Sequence, residues 1–329
     1  MTDPVIIVPG GMNTDIVGLG VDRILGAGEL TLGGEIHIGP GGKARNMAQM
    51  AAAYLGPGTV AMIGRSCMDP FGLYAVPLKA LEEAGVDMTY VRVLDSDQCR
   101  GKYPGIALIP VDKKGENQIY VLPGVNSDFG KEDIDCASKL FTNPDSNKIM
   151  MLALEIPLEA VEYSLGKARE NSIKVVLDPG GVDAPVDSIL DERIFLIKPN
   201  EHEAKILTGR EVHDFDSAGE AADILLKKGI QNVLITHGAR GAYFFNREQR
   251  KHISIPKLEN TGIHDETGCG DQVTAVVAAG LTEKRDLHEV VKLAIRAGTI
   301  QFFRKGIQPL EAEEILSSIK GESHEKGCS

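Results

Sequence analysis

Positive charge is in short supply in this 329-residue chain: 35 lysines and arginines face 47 aspartates and glutamates, for a formal net charge of −12 and a pI near 5.2. That balance argues against a surface built for nucleic acid or an anionic membrane, because both reward clustered Lys and Arg. Any phosphate must then be handled by backbone amides, a few local cations and bound metal. Cysteine is scarce too: Cys67, Cys99, Cys136, Cys269 and Cys328 are odd in number and form no C-x-x-C pair. This excludes a disulfide framework or a structural zinc site and fits reduced thiols in a cytoplasm. No apolar run approaches the roughly 18 residues of a membrane span, and the opening MTDPVIIVPGG has no signal-peptide pattern. Nor is the first apolar run followed by G-x-G-x-x-G, which disfavours a dinucleotide-dependent oxidoreductase. A soluble, cytoplasmic protein is expected.

What is present is alternation. VIIVPG (5–10), VAMIG (60–64), IMMLALE (149–155), IKVVLDP (173–179), IFLIKP (194–199) and VLITHG (233–238) read as buried strands ending in turn residues. Between them lie helical patterns. Met47, Met50, Ala51, Tyr54 and Leu55 follow i, i+3, i+4, i+7, i+8 spacing, and further helices are expected near 158–171, 217–229, 287–303 and 310–319. Such alternation predicts a mostly parallel sheet covered on both faces. Two stretches break the rule. Residues 16–38 are rich in glycine, and 102–124 read as a hairpin around KKGEN. They suit a small β lid over the carboxyl ends of the strands, where ligands bind in open α/β sheets. The expected organisation is a single domain over 1–320, lid segments near 16–38 and 100–124, and a flexible tail at 321–329.

Four clusters carry chemistry. In HDETGCGDQV (264–273), Gly268, Cys269 and Gly270 precede Asp271 and an Ala/Val-rich helix. Bare amides at a helix N-terminus make an anion site, so Asp271 reads either as a base beside a bound phosphate or as an N-cap. In GMNTDIVG (11–18), Asn13 and Asp15 share one side of an extended segment and suit sugar hydroxyls, with an ordinary polar turn as the alternative. In GPGGKARNMA (39–48), Gly41 and Gly42 lead into Lys43 and Asn46, which point together from the first turn of a helix, with a glycine-rich helix entry and a solvated lysine as the alternative. In KPNEHEAK (198–205), Asn200 and Glu203 at i, i+3 suit a water-clad Mg²⁺ or a capping box.

These motifs, with Thr236-His-Gly238 and Gly241, occur in the order found in the ribokinase-like (phosphofructokinase-B) carbohydrate kinases, closest to ribokinases, and the resemblance covers residues 5 to 310. It implies a three-layer αβα sandwich with a mostly parallel sheet and a small β lid. It also implies an ATP-dependent sugar kinase with Asp271 as general base and the amides around Gly268, Cys269 and Gly270 as anion hole. By the same likeness Asn13, Asp15, Gly41, Gly42, Lys43, Asn46 and Glu155 contact the sugar. Asn200, Thr236, Gly238 and Gly241 lie along the nucleotide, and Asn200 and Glu203 organise Mg²⁺ through water. Asp265 and Thr267 resemble ligands of an activating monovalent cation, often K⁺. Glu266 and Leu310 depart from that cation pattern, which leaves K⁺ activation open, and Cys269 at a helix N-terminus raises the prospect of a low-pKa, oxidation-sensitive thiol.

The lid stretch GENQIYVLPGVN (115–126) resembles ribokinases more closely than fructokinases, a likeness that implies D-ribose as acceptor and ribose 5-phosphate as product. Arg100 and Lys102 would suit a phosphosugar, Tyr103 a nucleoside, and another sugar or sugar acid also stands. A non-catalytic sugar- or nucleotide-binding regulator would be expected to have lost Asp271 or the glycines of its loop. Two copies paired through the lid and a monomer with a self-contained lid are both open.

Overall fold

The structure, a computed structural model, describes residues 3–142, 147–258 and 262–324. In chain order the strands and helices are β1 (Ile6–Pro9), β2 (Asn13–Val21), β3 (Glu35–Gly41), α1 (Lys43–Leu55), β4 (Val60–Cys67), α2 (Ala75–Glu83), β5 (Asp87–Leu94), β6 (Gly105–Asp112) and β7 (Tyr120–Leu122). There follow α3 (Lys131–Cys136), α4 (Ser138–Phe141), β8 (Ile149–Ala153), α5 (Leu158–Glu170), β9 (Lys174–Asp178), β10 (Ile194–Ile197), α6 (Glu201–Thr208) and α7 (Phe215–Lys227). The last are β11 (Asn232–Thr236), β12 (Ala242–Asn246), β13 (Arg250–Ile253), α8 (Cys269–Thr282), α9 (Leu287–Phe302) and α10 (Ala312–His324).

Nine strands form the large sheet in the order β13-β12-β11-β10-β9-β8-β1-β4-β5, parallel from β11 through β5, with an antiparallel β12–β13 edge. Strand periodicity divides the core. Ile6 and Val8 of β1 pack with Met47, Val276 and Val291 from α1, α8 and α9 on one face. Ile7 packs with Val161 and Leu225 from α5 and α7 on the other. Each such side chain, removed from water, contributes about 1.5–3 kcal/mol. The result is the three-layer α/β sandwich expected, with all six expected strands in it.

The second sheet has order β3-β2-β6-β7, with β2 and β6 parallel and each antiparallel to its outer neighbour. The 102–124 hairpin is β6–β7. The first lid arm is longer than expected: β2 starts at Asn13 and β3 ends at Gly41, so the lid strands themselves carry Asn13, Asp15 and Gly41. Strands β5, β12 and β13 had no expectation: the half-exposed edge strands β5 (DMTYVRVL) and β13 (RKHI) lack a continuous apolar run, whereas β12 (AYFFN) is short but buried. Helix α10 continues to His324, past the residue-320 boundary of the expected tail, and 325–329 lie outside the described residues.

Chain order moves outward from β1 to β4 and β5, then resumes at β8 on the other side of β1. A crevice opens outside the carboxyl ends of strands at such a reversal.

Candidate active site

Gly268 caps α8 with φ 75 and ψ 0, a left-handed turn that a side chain resists. It brings the chain sharply into the helix and places Asp271, 5% exposed, in the first turn. The N–H groups of Gly268 and Gly270 carry no partner among the described residues, whereas the Cys269 N–H donates to Glu266 O at 3.2 Å. The anion cradle expected from three amides is therefore short of the middle one.

Asp271 is gripped from two sides. Lys43 Nζ donates to its Oδ1 at 3.0 Å and Asn46 Nδ2 to its Oδ2 at 2.7 Å. Both donors come from the first turn of α1, delivered by Gly42 after the lid strand β3. Behind them lies a carboxylate that sequence reasoning missed. Asp178, fully buried at the end of β9, accepts from Lys198 Nζ (2.8 Å), Thr274 Oγ1 (3.1 Å) and Gly180 N (3.0 Å) and sits 3.4 Å from Lys43 Nζ. Burial alone would raise its pKa, but the two ammonium groups hold the carboxyl far below the usual range. Burial likewise opposes the charge on Lys43, and Asp178, Asp271 and Glu203 outweigh it, so the lysine stays cationic.

On the lid side, Asp15 lies against Gly41: a Cβ there would stand 1.9 Å from Asp15 Oδ1, so a side chain at 41 would displace the Asp15 carboxylate. Burial pushes Asp15 up to about 6, with Arg45 opposing and Asp271 adding. Glu155, just past β8, accepts from Lys43 N at 2.8 Å, and burial carries it up to about 7 against the pull of Lys43. Asn13 Oδ1 accepts from Asn126 Nδ2 at 2.9 Å, and Asn126 also clamps the Met12 backbone. Arg45 was not singled out either. Its guanidinium is fully buried and donates to Gly41 O (3.3 Å), Pro40 O (2.8 Å), Gln49 Oε1 and Asn46 Oδ1. A guanidinium only donates, so it fixes the Asn46 amide with its NH₂ toward Asp271.

On the opposite side, Asn200 and Glu203 make a capping box on α6: Glu203 N donates to Asn200 Oδ1 (2.8 Å) and Asn200 N to Glu203 Oε2 (2.9 Å). The capping alternative is thus realised, and Asn200 Oδ1 is committed to it. Glu203 is raised by burial and by Asp178, with Lys198 and Lys43 opposing. Asn200 bridges to Thr236 at the end of β11, and the turn that follows is closed by His237 N to Gly241 O (2.8 Å) and Gly241 N to Gly238 O (3.1 Å).

Asp265 and Thr267 belong to the loop before α8, where both Asp265 carboxylate oxygens accept backbone N–H groups, from Thr267 (2.9 Å) and Gly306 (2.8 Å). The reactive-thiol expectation for Cys269 is overturned. Burial, with Asp265, Glu266 and Asp271 nearby, pushes the thiol up to about 12, and it donates to Asp265 O at 3.5 Å. Burial comes first and the three carboxylates add to it.

Residues 5–313 match the pfkB family of carbohydrate kinases. The chain is 32% identical over 306 residues to a ribokinase of Haemophilus influenzae, covering 92% of this chain and 94% of that one. It is 30% identical over 271 residues to a deoxyribokinase of Salmonella typhi, covering 82% and 84%. The solved structure of Arabidopsis thaliana ribokinase with ribose and ATP superposes with a TM-score of 0.84 at 26% identity, over 97% of this chain and 99% of that one. A match across nearly the full length, on this fold, means that the chain belongs to the pfkB family of carbohydrate kinases.

Proposed function

We propose that this kinase transfers the γ-phosphoryl of ATP to the primary hydroxyl of a pentose, D-ribose first, giving ribose 5-phosphate. The observation that carries the reading is the doubly held Asp271 at the amide-lined N-terminus of α8, within electrostatic reach of Asp15 and Glu155. Asp271 takes the hydroxyl proton as the sugar oxygen bonds to phosphorus, and the bond to the bridging oxygen of ADP breaks. Lys43 and the Gly268 and Gly270 amides offset the charge on the transferring group, and positioning and electrostatics supply the acceleration. Asn13, Asp15, Asn46 and Glu155 orient the sugar; Thr236, Gly238, Gly241 and the Asn200 amide line the nucleotide.

Among the described residues no three His, Cys, Asp or Glu side chains gather as a metal site. Glu203 keeps one carboxylate oxygen outside the capping box, which fits Mg²⁺ bound mainly through water and phosphate oxygens. Bound there, Mg²⁺ would supply charge neutralisation of the nucleotide phosphates.

The acceptor is supported by the ribokinase relatives, and the deoxyribokinase likeness makes 2-deoxyribose the second candidate. A phosphosugar is less well served: Lys102 is held by Asp128 (2.6 Å) and Ser127 (3.1 Å). A panel of ribose, 2-deoxyribose, fructose, 2-keto-3-deoxygluconate, fructose 6-phosphate, adenosine and inosine, read by ADP release with Mg²⁺, decides. Ribose should give the highest kcat/KM, and turnover confined to a phosphosugar or nucleoside would sink the pentose reading. ATP binding with no turnover on any acceptor would favour a non-catalytic regulator.

The outer face of the lid bears on assembly. Across its four strands Ile38, Ile16, Leu108 and Tyr120 stand opposite one another, and Ile38, Leu108 and Tyr120 are exposed. Such an apolar row suits a second copy of the chain. Light scattering should return about twice the 35.3 kDa chain mass, and a monomer at micromolar concentration would refute lid pairing.

A further inference from the structure

The loop before α8 turns its polar groups toward the end of α9. Asp265 N donates to Phe302 O at 2.9 Å, and the Asp265 carboxylate bonds both Thr267 N and Gly306 N. Between the two segments lies Gln301, in the last turn of α9 and fully buried. Its Nε2 donates to Thr267 O (3.1 Å) and Gly306 O (2.6 Å), and its Oε1 accepts from Gln308 N (3.4 Å). A primary amide has two N–H groups, and both are used. A Cβ added at Gly268 would stand 4.0 Å from this nitrogen, so the amide sits directly behind the residue that starts α8.

Backbone carbonyls converging with a carboxylate from two segments are the surroundings in which a monovalent cation gives up its water. Here the residues do not fit K⁺. The Thr267 and Gly306 carbonyls and both Asp265 oxygens already have N–H partners, an amide nitrogen fills the space, and Leu310 is buried in the apolar core. We infer that the Gln301 side-chain amide stands in for the monovalent cation, tying the 265–268 loop to the 303–308 segment and holding the cradle before Asp271, so that phosphoryl transfer runs without K⁺. Gln301 is on this view a positioning residue: it acts through Thr267 and Gly306 and touches neither substrate.

The catalytic arm of the test rests on the kinase reading; the stability arm does not. The full chain is placed in tetramethylammonium chloride or in KCl at matched ionic strength, and thermal midpoint, K⁺ binding by calorimetry and ADP formation are recorded. For the unmodified protein, K⁺ should move the midpoint by no more than about a degree and the rate by less than about twofold. Gln301→Ala opens a space lined by two carbonyls. Its rate should fall about tenfold or more in tetramethylammonium and recover in K⁺ or NH₄⁺, its midpoint rising by several degrees with K⁺. Gln301→Glu, which replaces the donor by an oxygen, should become cation-responsive in the same way. A K⁺-dependent midpoint or about tenfold K⁺ activation in the unmodified protein overturns the inference. So does a Gln301→Ala enzyme equally active in both salts. Should Gln301→Ala fail to fold, indifference of Gln301→Glu to K⁺ would overturn it as well. If no acceptor is turned over at all, the thermal and calorimetric readings still decide the cation question.

Discussion

Asp271→Asn lowers kcat by roughly a hundred- to ten-thousandfold while ATP affinity changes only a few-fold, the expected signature of losing a base that acts in the transition state. The substitution preserves shape and leaves the Gly268 and Gly270 amides in place, but an amide cannot take the hydroxyl proton. Two further effects go the same way. Lys43 loses one of the carboxylates that hold it cationic, and the single amide oxygen can accept from only one of Lys43 and Asn46, leaving the other donor facing an NH₂. A useful comparison is Asn46→Ala, which removes one donor to Asp271, and a proposed sugar contact, while keeping the carboxylate. Its loss should be much smaller, about tenfold. A kcat for Asp271→Asn within about tenfold of the unmodified enzyme would transfer the proton to another group, with Glu155, which feels the Asp271 charge, as one alternative.

How much of this was legible depends on how far each residue reaches. The loop 264–273, the glycines before Lys43 and the Asn200–Glu203 pair are local patterns whose spacing alone places them on a helix start, and the six inner strands announce themselves as apolar runs. Asp178, Arg45, Asn126 and Gln301 had no such signal. Asp178 matters through Thr274, 96 residues away, and Asn126 through Asn13, 113 residues away, so no window along the chain contains the reason for either. The Asn200–Glu203 spacing fits a metal site and a capping box equally, and the hydrogen bonds that make the box are visible only in the fold. Cys269 was misjudged for a related reason. The helix terminus that lowers a thiol pKa is visible in the sequence, and so are the three carboxylates that oppose it; the burial that raises the pKa most is visible only in the fold.

The second large effect concerns stability. Asp178→Ala should cost about 3–5 kcal/mol, because it leaves the ammonium of Lys198, 3% exposed, without its carboxylate and takes one of two from Lys43. Urea unfolding measures this as a lower midpoint at unchanged slope. The pH dependence is opposite to that of the lid side. The Asp178 carboxyl is depressed in the folded state, so its contribution is present above the unfolded carboxylate range and is lost only in acid, as pH falls through the folded value. The gap between the unmodified protein and Asp178→Ala should therefore stay constant from about pH 8 to pH 5. Asp15 and Glu155, raised to about 6 and about 7, contribute stability that is full at low pH and lost as pH rises through those values. Asp15→Asn should accordingly stabilise the protein more at about pH 8 than at pH 5. The double replacement Asp178→Leu with Lys198→Met removes both charges of the tighter pair and should recover much of the lost stability while leaving the enzyme inactive. Recovery of activity as well would show that the pair serves folding alone. Recovery of stability without activity would place its value in setting Lys43 against Asp271, the proposed base.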